Sequence, residues 1–283
     1  MNQARSYHRT PSAAARYATV SALGLTFDKT DAVETARLIA APSARRRNAA
    51  RTYVTPNVQH VAEMRRNPEL QRAIQDADLV TCDGFPLVSY ARMSGCEIPG
   101  RVTGREVVEE LMLRSPLTGH VLFFLIDSVE TADATRLWAE SRGLSDRVVI
   151  EVAPQRFGED QRECAALAAR IRAAGTTILF IGLGAPKSEL FAARYRGHLG
   201  DCWALCIGQS VRLVLGLVRR PPQICVALRM EWFWRMALEP RRLAGRYAFG
   251  AMGFGAAVLS DMFAPTGPGH RQPPSPALRQ ANP

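Results

Sequence analysis

Apolar positions along this chain follow two rhythms. Continuous apolar runs fall at residues 51–55, 79–82, 121–126, 148–152, 177–181 and 204–207, and they read as strands. Between them, apolar residues recur every three to four positions, as on one face of a helix. One helix starts at about Asn57 and places Val58 and Val61 on one face. A second restarts at Asn67-Pro68, with Asn as N-cap, Pro in the first turn, and Leu70, Ile74 and Ala77 as its stripe. Further helices are expected at 107–113, 130–141, 161–173 and 188–196. Strands and helices in alternation predict an α/β fold with a doubly wound, mostly parallel sheet and right-handed crossovers. Ligands of such sheets bind beyond the carboxyl ends of the strands, where Asn57, Asp83 and residues 182–187 fall.

The pattern changes after Arg219-Arg220-Pro221-Pro222. Residues 17–219 are expected to form the α/β domain. Residues 220–263 read as a helical appendage rich in arginine and aromatic side chains. Within it, the apolar stretch 247–263 is slightly short and too interrupted by glycine for a membrane span, so it reads as an interfacial or protein-packed helix. Residues 1–16 are polar and basic, and residues 264–283 are dominated by Pro, Gly, Ser and Gln; both are expected to be disordered. No apolar stretch of signal-peptide length precedes Ser21, and no internal repeat occurs.

Composition narrows the partners. With 47% hydrophobic residues among 283, the chain can bury a sizeable core. Its net charge is +10, and Lys29 and Lys187 are its only lysines, so the excess is arginine. The planar guanidinium fork matches phosphate oxygens with two parallel hydrogen bonds. A phosphate-rich partner follows: nucleotide, diphosphate lipid, anionic membrane or nucleic acid. A GC-rich codon bias would account equally for the Arg/Lys ratio, but not for the positive balance. No nucleic-acid-binding module is present. Cys82, Cys96, Cys164, Cys202, Cys206 and Cys225 include no CxxC pair and no zinc spacing, so they read as small buried thiols of a reducing cytoplasm.

Asp83, at a strand end before Gly84, can take a proton from an attacking hydroxyl or cap the next helix. Thr55 and Asn57, at the preceding strand end, can cap a helix or bind a sugar hydroxyl. Arg101-Val102-Thr103-Gly104 follows a Pro-Gly turn, so Arg101 approaches a helix N-terminus, a setting suited to anions as well as to a solvated arginine. Gly182-Leu183-Gly184-Ala185-Pro186-Lys187 joins a strand to a helix; its small residues allow close backbone approach, and Lys187 adds a charge for a diphosphate. It lacks the third glycine of a dinucleotide fingerprint and is not a Walker A loop.

Taken in order, these segments resemble the WecG/TagA/CpsF glycosyltransferases, glycosyltransferase family 26. The matching stretches are Thr55-Pro56-Asn57, the run from Ala77 to Gly84, Arg101 to Gly104, Leu183 to Glu189, and Glu231-Trp232 through Glu239-Pro240-Arg241-Arg242. The resemblance covers about residues 21–250. It implies a Rossmann-like domain with a C-terminal appendage that docks on the membrane. It implies inverting, metal-independent and cofactor-free transfer of a sugar (N-acetylmannosamine-like, hexuronic acid or hexose) from a UDP-sugar to a polyprenyl-diphosphate-linked acceptor. Such a step belongs to surface polysaccharide or wall polymer assembly, at the inner face of the cell membrane. The family is also prone to self-association. By the same resemblance, Asp83 is the general base and Thr55, Asn57 and Arg101 line the pocket. Gly184, Ala185, Pro186, Lys187 and Ser188 form the donor loop. Arg235, Arg241 and Arg242, with Arg246 a further candidate, reach the diphosphate.

Three positions depart from the family pattern. Ser188 stands where the family has Gln. Gln209-Ser210-Val211-Arg212 replaces Gly-Ser-Phe-Asp, so Arg212 takes the place of an acid. Leu125-Ile126-Asp127 lacks the usual glycine pair. These changes bear on the donor. Two other classes remain open on the residues alone: a nucleotide-dependent oxidoreductase, and a non-catalytic member of the fold that binds nucleotide or polyanion.

Overall fold

The structure, a computed structural model, describes residues 19–42, 48–219, 222, 224–225, 231–238 and 240–263. A hairpin of β1 (Thr19–Ala22) and β2 (Leu25–Asp28) leads to α1 (Ala32–Ala40). Then come β3 (Arg51–Val54), α2 (Val58–Met64), α3 (Pro68–Gln75), β4 (Leu79–Val80), α4 (Phe85–Met93) and α5 (Gly104–Glu109). The alternation continues with β5 (Leu122–Ile126), α6 (Val129–Ser141), β6 (Val148–Val152), α7 (Gln161–Ala173), β7 (Ile178–Ile181), α8 (Lys187–Arg194), β8 (Trp203–Cys206) and α9 (Ser210–Val214). After it come α10 (Glu231–Leu238) and α11 (Pro240–Met262). The segments 1–16 and 264–283, expected to be disordered, lie outside the described residues.

β3 to β8 form one six-stranded parallel sheet in the order β4-β3-β8-β7-β5-β6. The α/β expectation therefore holds, and each apolar run of the sequence supplies a strand. Alternation along these strands is hidden because both faces are covered. Tyr53, Leu79, Phe124, Phe180 and Leu205 point to one side, under α1, α5, α6 and α9. Val54, Val80, Leu125, Ile181 and Cys206 point to the other, under α2, α3, α4, α7 and α8. The Phe124 and Phe180 rings stack at 4.4 Å on neighbouring strands. Burying one such ring stabilises by about 1.5–3 kcal/mol.

Three pieces are absent from the sequence-based expectation: the β1–β2 hairpin, α1 and the short α9. The β1–β2 hairpin turns through Leu23 and Gly24, both at positive φ, as a two-residue turn of that hand demands. Leucine is an unusual residue for the first of those positions, so the turn chemistry is silent in the sequence. The second is α1, whose N-cap is Asp31, accepting from the Glu34 amide. A further shift concerns α5, which starts three residues before the expected 107. Thr103 and Glu106 form a reciprocal capping box there, and the box sets the start.

At the amino edge of the sheet, Asp78 closes the β3–β4 unit. Its carboxylate accepts from the Thr52 amide at 2.9 Å and from Arg196 Nη2 at 2.7 Å. At the far end of the chain, α11 lies along α2. A Cβ added at Gly250 would be 3.0 Å from Gln59 Oε1, and one at Gly253 would be 2.8 Å from Ala62 Cα. Glycine at these positions lets the two backbones approach. Tyr90 Oη donates to Asp261 Oδ2 at 2.6 Å, and Arg66 stacks on Phe249, fastening the helix along its length. The apolar stretch 247–263 is thus part of a protein-packed helix, and among the described residues no helix is long and apolar enough to cross a membrane.

Candidate active site

The strand order sets where a ligand can sit. β3 and β8 are neighbours, yet α2 leaves β3 toward one face of the sheet and α9 leaves β8 toward the other. A crevice opens at the carboxyl edge between strands whose connections diverge in this way. Thr55, Asn57, Gly208 and Ser210 stand at its mouth because they are the first residues past β3 and β8.

The Asp83 loop is tied to this mouth from both sides. The Asp83 amide donates to Pro56 O at 3.0 Å, and the Val102 amide donates to Cys82 O at 2.9 Å. Beneath it, Thr81 Oγ1 donates to Val102 O at 3.2 Å and lies 2.8 Å from Tyr53 Oη. Burial pushes the Tyr53 phenol far above its ordinary range, with the Asp83 and Glu106 charges adding, so Tyr53 stays neutral as a hydrogen-bond donor to Thr81. Gly84 then takes φ +121°, a left-handed conformation that turns the chain into α4. A Cβ added there would be 3.9 Å from Asn57 Cβ, so the two loops lie side by side. Asp83 itself is half-buried. The neighbouring Cys82 thiol is pushed up to about 12, by burial first and by the Asp83 charge second, and is therefore not a nucleophile.

Arg101 joins the same cluster. Its guanidinium stacks 4.5 Å from the Phe85 ring centroid, just past Asp83-Gly84. Thr55 is buried, and its hydroxyl lies 3.4 Å from where a Cβ would sit on Gly104; Ser210 Oγ lies at 3.0 Å from the same point. Any side chain at position 104 would therefore fill the floor between them. Asn57 is the N-cap of α2: its Oδ1 accepts from the Gln59 and His60 amides.

The loop from Gly182 to Pro186 sits at the end of β7. Strand spacing places it about 10 Å from β3 and about 14 Å from β4, so it faces the opposite side of the crevice from Asp83. Gly182 and Gly184 pack against Gly208 of the β8 loop, and the Ala185–Pro186 peptide is cis. Lys187 is exposed, with its ammonium donating to Gln155 O at 3.1 Å, away from Asp83 and toward the β6–α7 loop. Ser188 is buried, and its hydroxyl lies 3.4 Å from Ile181 O and from Gly184 O. It thus supports the loop from below and presents no group to the crevice. α8 starts at Pro186 without a side-chain cap, as does α4 at Gly84, leaving backbone N–H groups at both ends directed to the carboxyl edge.

Arg212 is held in place. Nη2 donates to Glu130 Oε2 at 2.8 Å, and Nη1 donates to Ser128 Oγ at 2.8 Å, with Asp127 Oδ1 at 3.8 Å. This arginine clamps the first turn of α9 to the end of β5 and the start of α6. Sequence reasoning singled out Arg212 as a departure but gave it no partner, because its partners lie more than 80 residues away.

The appendage arginines fall on α10 and α11. Arg241 and Arg246 are exposed, while the side chains of Arg235 and Arg242 lie outside the described residues. α11 and α2 run in the same direction, with position 250 over 59 and 253 over 62. At about 1.5 Å per residue, the N-terminal turns of α11, which carry Arg241 and Arg246, extend past the start of α2 toward the crevice edge. Two residues that sequence reasoning passed over also belong here: His60 and Glu189, buried under the mouth at 3.2 Å from each other.

The chain resembles known proteins over most of its length. A family model described as "Glycosyl transferase WecG/TagA/CpsF family" matches residues 20–267. An N-acetylglucosaminyldiphosphoundecaprenol N-acetyl-beta-D-mannosaminyltransferase of Bacillus spizizenii is 25% identical over 202 residues, covering 69% of this chain and 74% of that protein.

Proposed function

Because the chain belongs to the WecG/TagA/CpsF family of glycosyltransferases, we propose that it moves a sugar from a UDP-sugar to a polyprenyl-diphosphate-linked sugar with inversion, using Asp83 as general base. The Bacillus relative's name supports an acceptor of the polyprenyl-diphosphate class and an N-acetylmannosamine-like donor sugar. Family membership also removes the oxidoreductase reading of the glycine loop.

The carrying observation is the tie between Asp83 and Pro56, which holds a carboxylate beside Asn57 and Arg101 at the crevice mouth. In a single displacement, the acceptor hydroxyl attacks the anomeric carbon from the face opposite the nucleotide while Asp83 takes its proton. The diphosphate leaves with added negative charge. The uncapped N-terminus of α8 faces that charge across the crevice, and arginines from α11 approach from the side. The acceptor's own diphosphate falls to Arg101 and to Arg241, Arg246 and their neighbours. Arg212, bound to Glu130 and Asp127, replaces an acid on the donor side, so donor choice is the point at which this protein differs from its family.

Docking on the inner face of the cell membrane follows from the acceptor's lipid. Met252, Leu259 and Phe263 are exposed on one stripe of α11, opposite the α2 contact, with Arg241 and Arg246 near its start. A transfer assay with a panel of nucleotide-sugars and a short polyprenyl-diphosphate-N-acetylglucosamine acceptor tests the reading. Turnover with a UDP-sugar supports it; no turnover with any nucleotide-sugar sinks it.

A further inference from the structure

Below the crevice lies a titratable pair that the proposed reaction does not use. His60 sits in the first turn of α2, and Glu189 in the first turn of α8. His60 Nε2 is 3.2 Å from Glu189 Oε1, with side chains only 8% and 3% exposed. The other ring nitrogen, Nδ1, is 3.2 Å from the Asn57 amide and 3.0 Å from Asn57 Oδ1. Glu189 Oε2 is buried with no hydrogen-bond partner among the described residues. The Glu189 charge also reaches Cys206 at the end of β8, whose thiol is driven well up, by burial first and by this carboxylate second. The pair therefore sits among α2, α8 and β8, directly beneath the strand ends.

An apolar pair of equal volume would fill this space without desolvating a carboxylate. What apolar side chains lack is direction. An imidazole with Nε2–H on a carboxylate has its ring plane and tautomer set, so Nδ1 is left to meet the Asn57 cap at one fixed point. From Asn57 the connection continues through the adjoining Pro56, whose carbonyl accepts from the Asp83 amide. We propose that His60 and Glu189 are a buried positioning pair that braces the Asn57 cap against α8 and thereby holds Asp83 at its working geometry. This deepens the assignment of Asp83 as base and rests on it.

The full-length His60→Leu/Glu189→Met double variant tests the brace, because it removes both polar partners together and leaves no orphaned charge. Wild type and variant are compared in the UDP-sugar transfer assay, by thermal unfolding, and by amide exchange. The expected result is cooperative unfolding, kcat at least tenfold lower, KM for the nucleotide-sugar changed less than threefold, and faster exchange over residues 55–60 and 82–88 but not in β8. A folded variant with wild-type kcat, or one altered only in KM, overturns the proposal. Should the double variant not fold, Glu189→Gln and Glu189→Leu replace it. Gln keeps an acceptor for Nε2–H and should restore kcat to within threefold of wild type, whereas Leu should lose tenfold; equal rates overturn the proposal. If wild type itself transfers no sugar, the proposed function fails, and exchange alone then decides the brace: unchanged exchange at 55–60 and 82–88 overturns it.

Discussion

The amide of Asp83 donates to the carbonyl of Pro56 at 3.0 Å, so the ends of β4 and β3 move as one unit. The bond is made by the backbone amide, not by the Asp83 carboxylate. Asp83→Asn keeps the size of the side chain and removes its basicity. It should lower kcat by about 10²–10⁴-fold while circular dichroism and cooperative melting stay those of a folded protein. Turnover close to wild type would remove Asp83 from the role of base.

Gly253 lies against Ala62 with no room for a side chain. Gly253→Val should force α11 away from α2 and cost about 1–3 kcal/mol, as overpacking does. Denaturant unfolding measures the loss. An unchanged midpoint would mean that the two helices do not pack this closely in solution.

Arg212 joins α9 to α6 through Glu130, Ser128 and Asp127. Its ion pairs are partly exposed, so Arg212→Ala should cost no more than about 1 kcal/mol. The larger effect should be on the donor: a several-fold change in KM among nucleotide-sugars, with KM for the acceptor unaffected. Equal effects on both substrates would place Arg212 outside donor recognition.

Burial pushes the thiols of Cys82 and Cys202 up to about 12, from an ordinary value near 9. A raised folded-state value means that stability is fully present below the unfolded pKa and is lost as pH rises toward the folded one. Chemical unfolding should therefore report constant stability from these groups up to about pH 8.5, then a decline between about 9 and 12. At pH 8 neither thiol should react with iodoacetamide unless the protein is unfolded; rapid alkylation of either in the native state would contradict the burial.

Leu259 and Phe263 are 57% and 81% exposed on the outer stripe of α11. Leu259→Glu/Phe263→Glu should weaken sedimentation with anionic lipid vesicles several-fold, while the melting temperature holds because neither side chain contributes to the core. Unchanged sedimentation would move the membrane contact elsewhere on the chain.

Much of this was legible from local signals. Buried parallel strands read as continuous apolar runs, so β3 to β8 each showed in the sequence, and Asn67-Pro68 announced α3. The hairpin did not, since Leu23 adopts a positive φ that leucine rarely signals. Ser188 could be located just past the glycine loop at the end of β7, but its burial under Ile181 and Gly184 could not be read. Gly250 and Gly253 read as interruptions of an apolar stretch; in the fold they are the contact surface with α2.

Asp83 shows the division most clearly. Periodicity placed it at a strand end, a signal local to the chain, and its order with Thr55, Asn57 and Arg101 carried the family resemblance on which it is proposed as base. The strand order β4-β3-β8-β7-β5-β6 is not local: it depends on which crossovers cover which face, so only the tertiary structure put the crevice between β3 and β8. The same holds for the His60–Glu189 pair, 129 residues apart. Two polar residues on separate amphipathic helices carry no mark of each other until packing closes α2 and α8 over one sheet.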